Sequence, residues 1–313
     1  MTKLETMIGR AESIVILGHV NPDGDCVGSS LAVYNYIKEQ YDKKVLVCLE
    51  AVSGKFSYLA GFEQIQNQPG QEAADLCICL DCSNEERLGA FKVCLDGAKE
   101  SICIDHHVTN EGYAAENVID PSSSSTCQVL FTQMEDERIS KAVAECLYTG
   151  IIHDTGVFRH SNTSAKTMEI AGKLMEKGID FSTIIDDSFY KKTYLQSQIL
   201  GRALLESVSF LDKQCIFTVV RKKDMEFYGV DKSDLEGIVD QLRIIEGVEC
   251  AIFMYEVGIH MYKVSMRSNK KVDVSRIAAY FGGGGHVRAA GCTMSGSFYD
   301  VINNLSGHIE KQL

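Results

Sequence analysis

The sequence predicts an α/β protein with two domains: a larger domain built on a parallel sheet with helices on both faces, and a smaller α/β domain. At 313 residues the chain exceeds what one hydrophobic core usually organises, which favours two domains. In the first half, short apolar runs alternate with stretches of helical periodicity. These runs are continuously apolar, as in strands that helices cover on both faces of a parallel sheet.

The apolar runs of the first half are predicted strands, at 14–17, 45–49, 76–80 and 102–104. After the first of them, residues 27–37 place apolar side chains on one face at helical spacing. From 126 to 177 the pattern is mainly helical, with a helix start at Ser161–Ser164 and a stop at Gly178.

The second half is predicted to form the smaller α/β domain. Its predicted strands are 215–220, 251–256 and 262–266, and its predicted helices are 199–205, 238–245, 274–280 and a final one near residue 313. No long linker separates the halves, so the predicted domains are residues 1–188 and 196–313, with a junction at 189–195. Because the junction is short, we expect the two domains to face each other across a cleft.

Negative charge is concentrated in the first half. Residues 1–189 contain 15 Lys and Arg against 29 Asp and Glu, whereas the remainder contains 16 against 14. An acidic first half disfavours binding of a long nucleic-acid duplex, which needs an extended basic surface. It suits a domain that gathers carboxylates around cations, although a solvated acidic surface would give the same composition.

The sequence contains neither a membrane span nor an export signal. No apolar run approaches the ~20 residues of a bilayer-spanning helix, and the first ten residues lack the apolar core of a signal peptide. We therefore expect a cytoplasmic protein with no membrane partner, in which the 12 cysteines are reduced thiols.

The segment from His19 to Asp25, with the sequence HVNPDGD, follows the first predicted strand. Two carboxylates one residue apart on a turn can face two adjacent cations, and Gly24 permits unusual backbone angles. His19 lies four residues before Asp23 and can complete a ligand set. Asn-Pro-Asp-Gly is also a common turn sequence, and Asp25 could instead cap the next helix, so this segment alone leaves both interpretations open.

Three further acidic or imidazole-bearing segments end predicted elements. Asp81 ends the third predicted strand, where an unpaired carboxylate would be costly, so it must be paired, cap a helix or bind a metal. The segment 105–107, Asp-His-His, follows the fourth strand. Asp154 ends a helical stretch, a position that the helix dipole disfavours for an acid. Because the carboxyl ends of parallel strands meet along one edge of a sheet, we expect convergence in one crevice.

The ligand types indicate which cations such a crevice would bind. Carboxylates and imidazoles without a committed thiolate favour Mn²⁺ or Mg²⁺, with Co²⁺, Zn²⁺ and Fe²⁺ as alternatives. Four carboxylates and two neutral imidazoles carry four negative charges, which two divalent ions would balance. Two ions about 3.5–4 Å apart are typical of enzymes that displace a phosphoryl group.

A glycine-rich segment from Phe281 to Gly291 predicts an anion-binding loop in the second half. Consecutive glycines offer backbone N–H groups to a phosphate, and Arg288 can bind one with two hydrogen bonds. His286 adds a donor, and Arg267 is a further candidate for anion contact. The segment lacks the lysine of a Walker loop and follows a helix, unlike a dinucleotide-binding fingerprint. A flexible glycine loop is the plain alternative.

These motifs closely resemble those of the DHH phosphoesterases, in particular the nano-RNase type, which joins a DHH domain to a DHH-associated domain. Five motifs match in order: HxxPDGDxxGS at 19–29, Asp81, DHH at 105–107, DTG at 154–156 and GGGHxxAAG at 283–291. Because they extend over nearly the whole chain, the resemblance is highly specific.

The resemblance implies a role for each candidate residue. One Mn²⁺ would be held by His19, Asp23 and Asp81, and the second by Asp25, Asp81, His106 and Asp154. The substrate-binding residues would be Gly284, Gly285, His286, Arg288 and Arg267. The catalytic residues would be Asp81, which both ions share, and His107, which would contact the reacting phosphate.

The implied activity is hydrolysis of short oligoribonucleotides to nucleoside 5′-monophosphates, with 3′-phosphoadenosine 5′-phosphate (PAP) as a further substrate. A phosphodiesterase for cyclic dinucleotides or pApA would use the same metals and anchor. A pyrophosphatase or exopolyphosphatase shares the motifs of the first domain but has a different second domain. A RecJ-like exonuclease would need more chain and a basic channel.

A nucleotide sensor without turnover is the alternative from another functional class. The complete metal-ligand set and the presence of His107 argue against it. Members of the family often pair, which makes a homodimer an expectation, although no sequence pattern supports it independently.

Overall fold

A computed structural model describes residues 2–70 and 73–313 of the chain. It divides into two compact units, of which the first ends at Lys191 and the second begins at Lys192. Each unit has its own six-stranded sheet. The predicted α/β fold, with a parallel sheet in the first half, is confirmed.

Unit 1 contains the parallel sheet and the helices that cover it. Its strands are β1 (Ser13–Leu17), β2 (Lys44–Cys48), β3 (Ile65–Gln66), β4 (Leu76–Leu80), β5 (Glu100–Asp105) and β6 (Glu116–Ile119). Its helices are α1 (Lys3–Arg10), α2 (Gly24–Gln40), α3 (Lys92–Gly97), α4 (Thr126–Phe131), α5 (Lys141–Asp154), α6 (Ala165–Glu176) and α7 (Phe181–Ile185). Short 3₁₀ helices lie at Gly54–Phe56, Phe62–Gln64, Glu85–Phe91 and Asp136–Arg138, and a π-helical turn at Asp186–Tyr190.

The strand order of unit 1 explains why its strands are apolar throughout. The order is β3-β2-β1-β4-β5-β6, and every neighbouring pair is parallel. Ile14 and Ile16 pack into a hydrophobic core on one face, whereas Val15 and Leu17 pack into a second core on the other. The chain builds outward from β1 and then from β4, so the topology reverses between them. In such sheets the crevice beyond the carboxyl ends of the strands is the usual binding site.

Helices α2 and α5 approach each other closely on one face of this sheet. A Cβ atom added at Gly28 would lie 2.5 Å from the carbonyl oxygen of Cys146. A Cβ atom added at Gly150 would lie 2.5 Å from Oδ1 of Asp25. The two helices therefore need glycine at their contact, and this contact brings Asp25 beside the last turn of α5.

Unit 2 contains a mixed sheet. Its strands are β7 (Val208–Phe210), β8 (Cys215–Val220), β9 (Cys250–Gly258), β10 (Met261–Ser268), β11 (Gly284–His286) and β12 (Ala289–Ser295). Its helices are α8 (Tyr194–Leu205), α9 (Lys222–Tyr228), α10 (Ile238–Arg243), α11 (Val274–Tyr280) and α12 (Phe298–Glu310), with a 3₁₀ turn at Lys232–Leu235. The order is β11-β12-β10-β9-β8-β7, in which only the β8–β9 pair is parallel.

The glycine-rich segment differs from the loop that its composition predicts. Gly284 to His286 form an edge strand that pairs antiparallel with β12, so that Gly284 lies opposite Gly291. A Cβ atom added at Gly283 would clash with the carbonyl oxygen of Gly291. The glycines thus allow two backbones to pack directly together, whereas glycine composition alone indicates a loop.

None of the helices in residues 2–70 and 73–313 combines the length and the apolar composition that a membrane span needs.

Candidate active site

Four segments bring acid and imidazole groups to the carboxyl edge of the parallel sheet. His19 lies two residues after β1, Asp81 directly follows β4, and Asp105 is the last residue of β5. Asp154 is the last residue of α5. The strand reversal between β1 and β4 therefore places these groups at the position where doubly wound sheets bind ligands.

His19 presents one ring nitrogen to this crevice. Its Nδ1 lies 2.8 Å from the carbonyl oxygen of Val20 and 3.1 Å from Nη2 of Arg87. The Val20 carbonyl can only accept and the Arg87 guanidinium can only donate a hydrogen bond, so these two contacts place opposite demands on Nδ1. Nε2 lies on the side of the carboxylates, 3.4 Å from Oδ2 of Asp81 and 3.7 Å from Oδ1 of Asp23.

Asp23 has both a capping and a site-facing role. It is the N-cap of α2, where Oδ1 accepts hydrogen bonds from the backbone N–H groups of Asp25 and Cys26, at 3.1 and 3.2 Å. The sequence left open whether Asp25 caps this helix, and the structure gives that position to Asp23. Although burial opposes ionisation, His19 and these N–H groups lower the pKa of Asp23 to about 2.

Asp25 is completely buried and is held by the start of α4. Its carboxylate accepts hydrogen bonds from the backbone N–H groups of Thr126 and Cys127, at 2.6 and 3.0 Å. These N–H groups belong to the first turn of α4, where no intrahelical acceptor exists for them. The carboxylate is thereby fixed in orientation, with Oδ2 4.0 Å from Nε2 of His106.

Asp81 occupies the middle of the cluster. It is only 2% exposed, and its two oxygens lie between His19 at 3.4 Å and His106 at 3.7 Å. The hydroxyl of Thr126 donates a hydrogen bond to its Oδ1 at 3.1 Å. Its backbone has φ of +55°, a left-handed conformation that is strained for residues other than glycine and that concentrates at functional sites.

His106 and Asp154 form the opposite side of the cluster. Nε2 of His106 lies 3.0 Å from Oδ2 of Asp154. The neighbouring His153 does not join them, because its Nε2 lies 3.2 Å from the Ser188 hydroxyl in an aromatic environment. Burial lowers the pKa of His153 to about 4, as expected of a neutral core histidine.

His107 is held differently from His106. Its Nδ1 donates a 2.7 Å hydrogen bond to Oδ1 of Asp105, and Oδ2 of Asp105 accepts one from Asn110, also at 2.7 Å. Burial opposes ionisation of Asp105, but the contact with His107 outweighs it and lowers the pKa of Asp105. Nδ1 of His107 is therefore committed to Asp105, and Nε2 remains for another partner.

The buried carboxylates of the cluster repel one another, which favours the binding of cations. Burial and repulsion from Asp154 raise the pKa of Asp25 to about 7, and burial and repulsion from Asp25 raise that of Asp81. Burial opposes protonation of the two histidines, but the surrounding carboxylates outweigh it and raise the pKa of both His19 and His106 to about 10. Without metal ions, protons bound to these side chains therefore offset the negative charge of the cluster.

The donor set fits divalent metal ions. Within the described part of the chain, the ion-pair contacts of Asp25 and Asp81 are all with imidazole rings, which a metal ion could replace. Three overlapping groups have ligand atoms within 4.8 Å of one another: His19 with Cys26 and Asp81; Asp81 with His106 and His107; and Asp25 with His106 and Asp154. Asp81 belongs to two of these groups, as expected of a residue shared between two ions.

The predicted substrate-binding residues of unit 2 differ in how firmly hydrogen bonds hold their side chains. Arg288 donates hydrogen bonds to the carbonyl oxygens of Val272, at 3.0 Å, and Lys270. Arg267 donates from Nε to Asp240 at 3.2 Å. His286 is exposed, and its side chain has no hydrogen-bond partner among the residues that the structure describes. Gly284 and Gly285 lie in β11 next to it.

A buried carboxylate holds the segment that binds Arg288. Glu249 accepts hydrogen bonds from the backbone N–H groups of Lys270, Lys271 and Val272, at 2.5 to 3.1 Å. Arg288 is thus fixed through the carbonyl groups of a segment that is itself fixed.

Sequence reasoning missed several residues that shape the site. Thr126 and Asn110 orient the carboxylates of Asp25, Asp81 and Asp105. The serine run before Thr126 signals a helix start, but nothing local shows that the free N–H groups of this helix meet a residue 101 positions earlier.

The chain is similar to known proteins along most of its length. The chain matches the DHH family, N-terminal domain, over residues 13–151 and the DHHA1 domain over residues 212–313. It is 27% identical over 298 residues to a bifunctional oligoribonuclease and PAP phosphatase of Bacillus subtilis (strain 168), covering 94% of this chain and 93% of the relative. It is 30% identical over 290 residues to the corresponding protein of Thermus thermophilus, covering 90% and 84%.

A solved structure with the same fold extends this similarity. The crystal structure of an exopolyphosphatase-related protein from Bacteroides fragilis superposes with a TM-score of 0.90 and 28% sequence identity, covering 98% of this chain and 94% of that one. Sequence and fold are therefore shared over both units.

Proposed function

The chain belongs to the DHH family of phosphoesterases, and from this membership we propose that it cleaves short oligoribonucleotides to nucleoside 5′-monophosphates and also dephosphorylates PAP. The observation that carries the proposal is the convergence of His19, Asp25, Asp81, His106 and Asp154 at the carboxyl edge of β1, β4 and β5. Two relatives whose alignments cover nearly the whole chain are named for both activities.

We assign the ligands to two divalent ions, of which Mn²⁺ is the ion we propose. His19, Asp23 and Asp81 would hold one ion. Asp25, Asp81, His106 and Asp154 would hold the other. Bound ions would neutralise charge on the phosphate and lower the pKa of water, which would supply a nucleophile at neutral pH.

His107 and Asp105 handle a proton in this proposal. Asp105 accepts the Nδ1 proton of His107 and so fixes the orientation of the ring. Nε2, when it also carries a proton, would deliver that proton to the oxygen that leaves phosphorus, and the ring would keep its Nδ1 proton. Asn110 keeps the Asp105 carboxylate in place by donating to its second oxygen.

The substrate anchor is proposed to lie in unit 2. His286 is exposed and has free ring nitrogens to offer a phosphate. Arg288 uses two of its five N–H groups for carbonyl oxygens, which leaves others for a ligand. Backbone N–H groups of Gly284 and Gly285 and the guanidinium of Arg267 complete the proposed anchor.

A substrate panel tests the proposal. With Mn²⁺, we would compare kcat/KM for RNA of two to five nucleotides, RNA of twenty-four nucleotides, PAP, pApA, cyclic di-AMP and pyrophosphate. The proposal requires the short RNAs and PAP to rank above the others. A preference for cyclic di-AMP or pApA would instead assign the enzyme to cyclic-dinucleotide turnover, and absence of turnover would indicate a sensor.

Hydrolysis of inorganic polyphosphate is the second candidate. It is raised by the Bacteroides fragilis structure, which is described as exopolyphosphatase-related. Polyphosphate and pyrophosphate carry no base or sugar, so activity on them above that on short RNA would favour this candidate.

A further inference from the structure

We propose that Cys26 is an additional, sulfur ligand of the metal site formed by His19, Asp23 and Asp81, and that it selects for thiophilic ions. The inference rests on the proposed two-metal site. It predicts that Zn²⁺ and Co²⁺ recruit this thiol, whereas Mn²⁺ is held by oxygen and nitrogen atoms alone.

Geometry places the sulfur of Cys26 inside the ligand set. Its Sγ, a ring nitrogen of His19 and a carboxylate oxygen of Asp81 all lie within 4.8 Å of one another, and Cys26 is completely buried. Ligand atoms on one zinc ion lie roughly 3–4 Å apart, because zinc bonds are about 2.0–2.3 Å long. A movement of about 1 Å or less therefore suffices to bring the three atoms onto one ion.

The surrounding chain directs this thiol toward the site. Cys26 is the third residue of α2 and lies in its first turn, close to the N-cap Asp23. A Cβ atom added at Gly18 would clash with Sγ of Cys26, so the sulfur fills the space that a side chain before His19 would occupy. The sulfur therefore lies beside the backbone that leads directly into His19.

Other buried thiols near the cluster are oriented differently. Sγ of Cys127 is directed toward the backbone oxygens of Asp25, at 3.9 Å, and Cys146, at 4.0 Å. Among the residues that the structure describes, Cys26 is the only cysteine that belongs to a group of three potential metal ligands. All 12 cysteines are free thiols, so none of this chemistry is blocked by a disulfide.

Ligand softness explains why the coordination would depend on the ion. Thiolate sulfur favours zinc and related borderline ions, whereas Mn²⁺ favours carboxylate oxygen. When a thiophilic ion binds, the S–H bond of Cys26 is replaced by a sulfur–metal bond and the proton passes to solvent. A protein with this extra ligand retains Zn²⁺ more tightly than its carboxylates and imidazole alone would, so Zn²⁺ competes with the activating ion.

Cobalt absorption tests the proposal without measuring turnover. Metal-free full-length protein would be titrated with Co²⁺ to saturation, and the near-ultraviolet band for charge transfer from thiolate to cobalt would be recorded. We expect the band in the natural protein and in Cys146→Ala, a buried thiol that lies outside the ligand groups, and its loss in Cys26→Ala. Absence of the band in the natural protein, or its retention in Cys26→Ala, would overturn the proposal.

Competitive metal binding gives a second, independent measurement. Calorimetric titration of Zn²⁺ and Mn²⁺ should show that Cys26→Ala loses roughly tenfold or more in Zn²⁺ affinity relative to Mn²⁺ affinity, whereas Cys146→Ala keeps the natural ratio. An unchanged ratio in Cys26→Ala contradicts the role of the sulfur. Failure of the proposed nuclease activity would leave both metal measurements intact, so the two hypotheses fail separately.

Discussion

Asp81 shows how a single residue of this site trades stability for function. Its carboxylate is buried beside Asp25, and its backbone adopts a strained left-handed conformation. Neither feature benefits folding in the absence of cations. Both would become useful in the proposed site, where two positive ions would share this ligand.

The first prediction follows from that trade. Asp81→Asn retains the shape of the side chain and tolerates positive φ, but it removes the shared negative charge. We expect loss of hydrolysis for every phosphodiester, together with a higher melting temperature of the metal-free protein and a smaller rise on adding Mn²⁺. Activity assays and thermal unfolding with and without chelator would measure this. Substantial residual hydrolysis would refute the shared-ligand role.

The second prediction concerns pH. The pKa of Asp25 is raised to about 7, so its ionisation destabilises the metal-free fold increasingly as pH rises from about 4 to about 7. The pKa values of His19 and His106 are raised to about 10, so the stability that they contribute is complete below about 6.5 and is lost as pH rises toward 10. Asp23, with a pKa of about 2, stays ionised from about pH 4 upward, so its contribution to stability hardly changes with pH in this range.

The contributions of Asp25, His19 and His106 all decrease or stay constant as pH rises above about 5. The lowered pKa of His153 acts in the opposite direction, but only up to about pH 6.5. Metal-free protein should therefore become less stable as pH rises across the window from about 6.5 to about 8, while the stabilisation by saturating Mn²⁺ should grow, because metal ligands must be deprotonated. Thermal unfolding across the window, with chelator and with Mn²⁺, would show two diverging curves. Parallel curves would contradict the assignment of these residues to the metal site.

The third prediction tests the pairing of Asp105 with His107. Asp105→Asn replaces the acceptor of the Nδ1 proton with a group that can present a donor, so the ring loses its fixed orientation. We expect kcat to fall by roughly 10²–10⁴-fold, as for loss of general acid–base catalysis, with little change in KM or in Mn²⁺ binding. A flattened pH–rate profile would accompany it; a proportional loss of metal binding would indicate a structural role instead.

At the scale of elements, sequence patterns predicted the strands that are buried on both faces of the sheet. The strand at 76–80 coincides with β4, because every one of its residues is buried between two cores. The edge strands β3 and β6 were missed, since they are short and partly exposed and carry no continuous apolar pattern. β11 was missed because its glycines indicate a loop.

In the candidate site, too, local patterns were predictable and long-range contacts were not. Asp81 and the Asp-His-His run were recognisable because a charged group at the end of a buried strand is costly unless it is paired or binds a ligand. Contacts across long separations, such as Thr126 with Asp25, depend on the packing of α4 against α2 and cannot be read from a local pattern.

The hairpin between β7 and β8 leads to the fourth prediction. Leu211, Asp212 and Lys213 all have positive φ, between +48° and +66°, which is costly for residues with a Cβ atom. Lys213 is exposed, so Lys213→Gly should relieve strain and raise the free energy of unfolding by about 0.5–1 kcal/mol after the added chain entropy. The same change at Lys263, an exposed position within β10, should be destabilising. Denaturant unfolding would compare the two variants.

At the scale of the whole molecule, the proposed metal ligands and the proposed substrate anchor lie in different units. Unit 1 has the acidic cluster and its own cores, and unit 2 has the exposed His286 and the supported Arg288 on a separate sheet. This division predicts that metal-dependent chemistry and nucleotide recognition respond to different substitutions. Arg288 is the informative residue, because its hydrogen bonds to the carbonyl oxygens of Val272 and Lys270 also allow a purely structural role.

The fifth prediction therefore compares two substrates on one variant. If Arg288 binds a substrate phosphate, Arg288→Ala should raise KM for short RNA by roughly 10–100-fold, the value of a hydrogen bond to a charged group, and hardly affect bis-para-nitrophenyl phosphate, which is too small to need an anchor. Arg276→Ala is the matched control, because Arg276 is 85% exposed and pairs with Asp273. Equal losses on both substrates would show that Arg288 serves the fold, since a structural defect does not distinguish substrates by size.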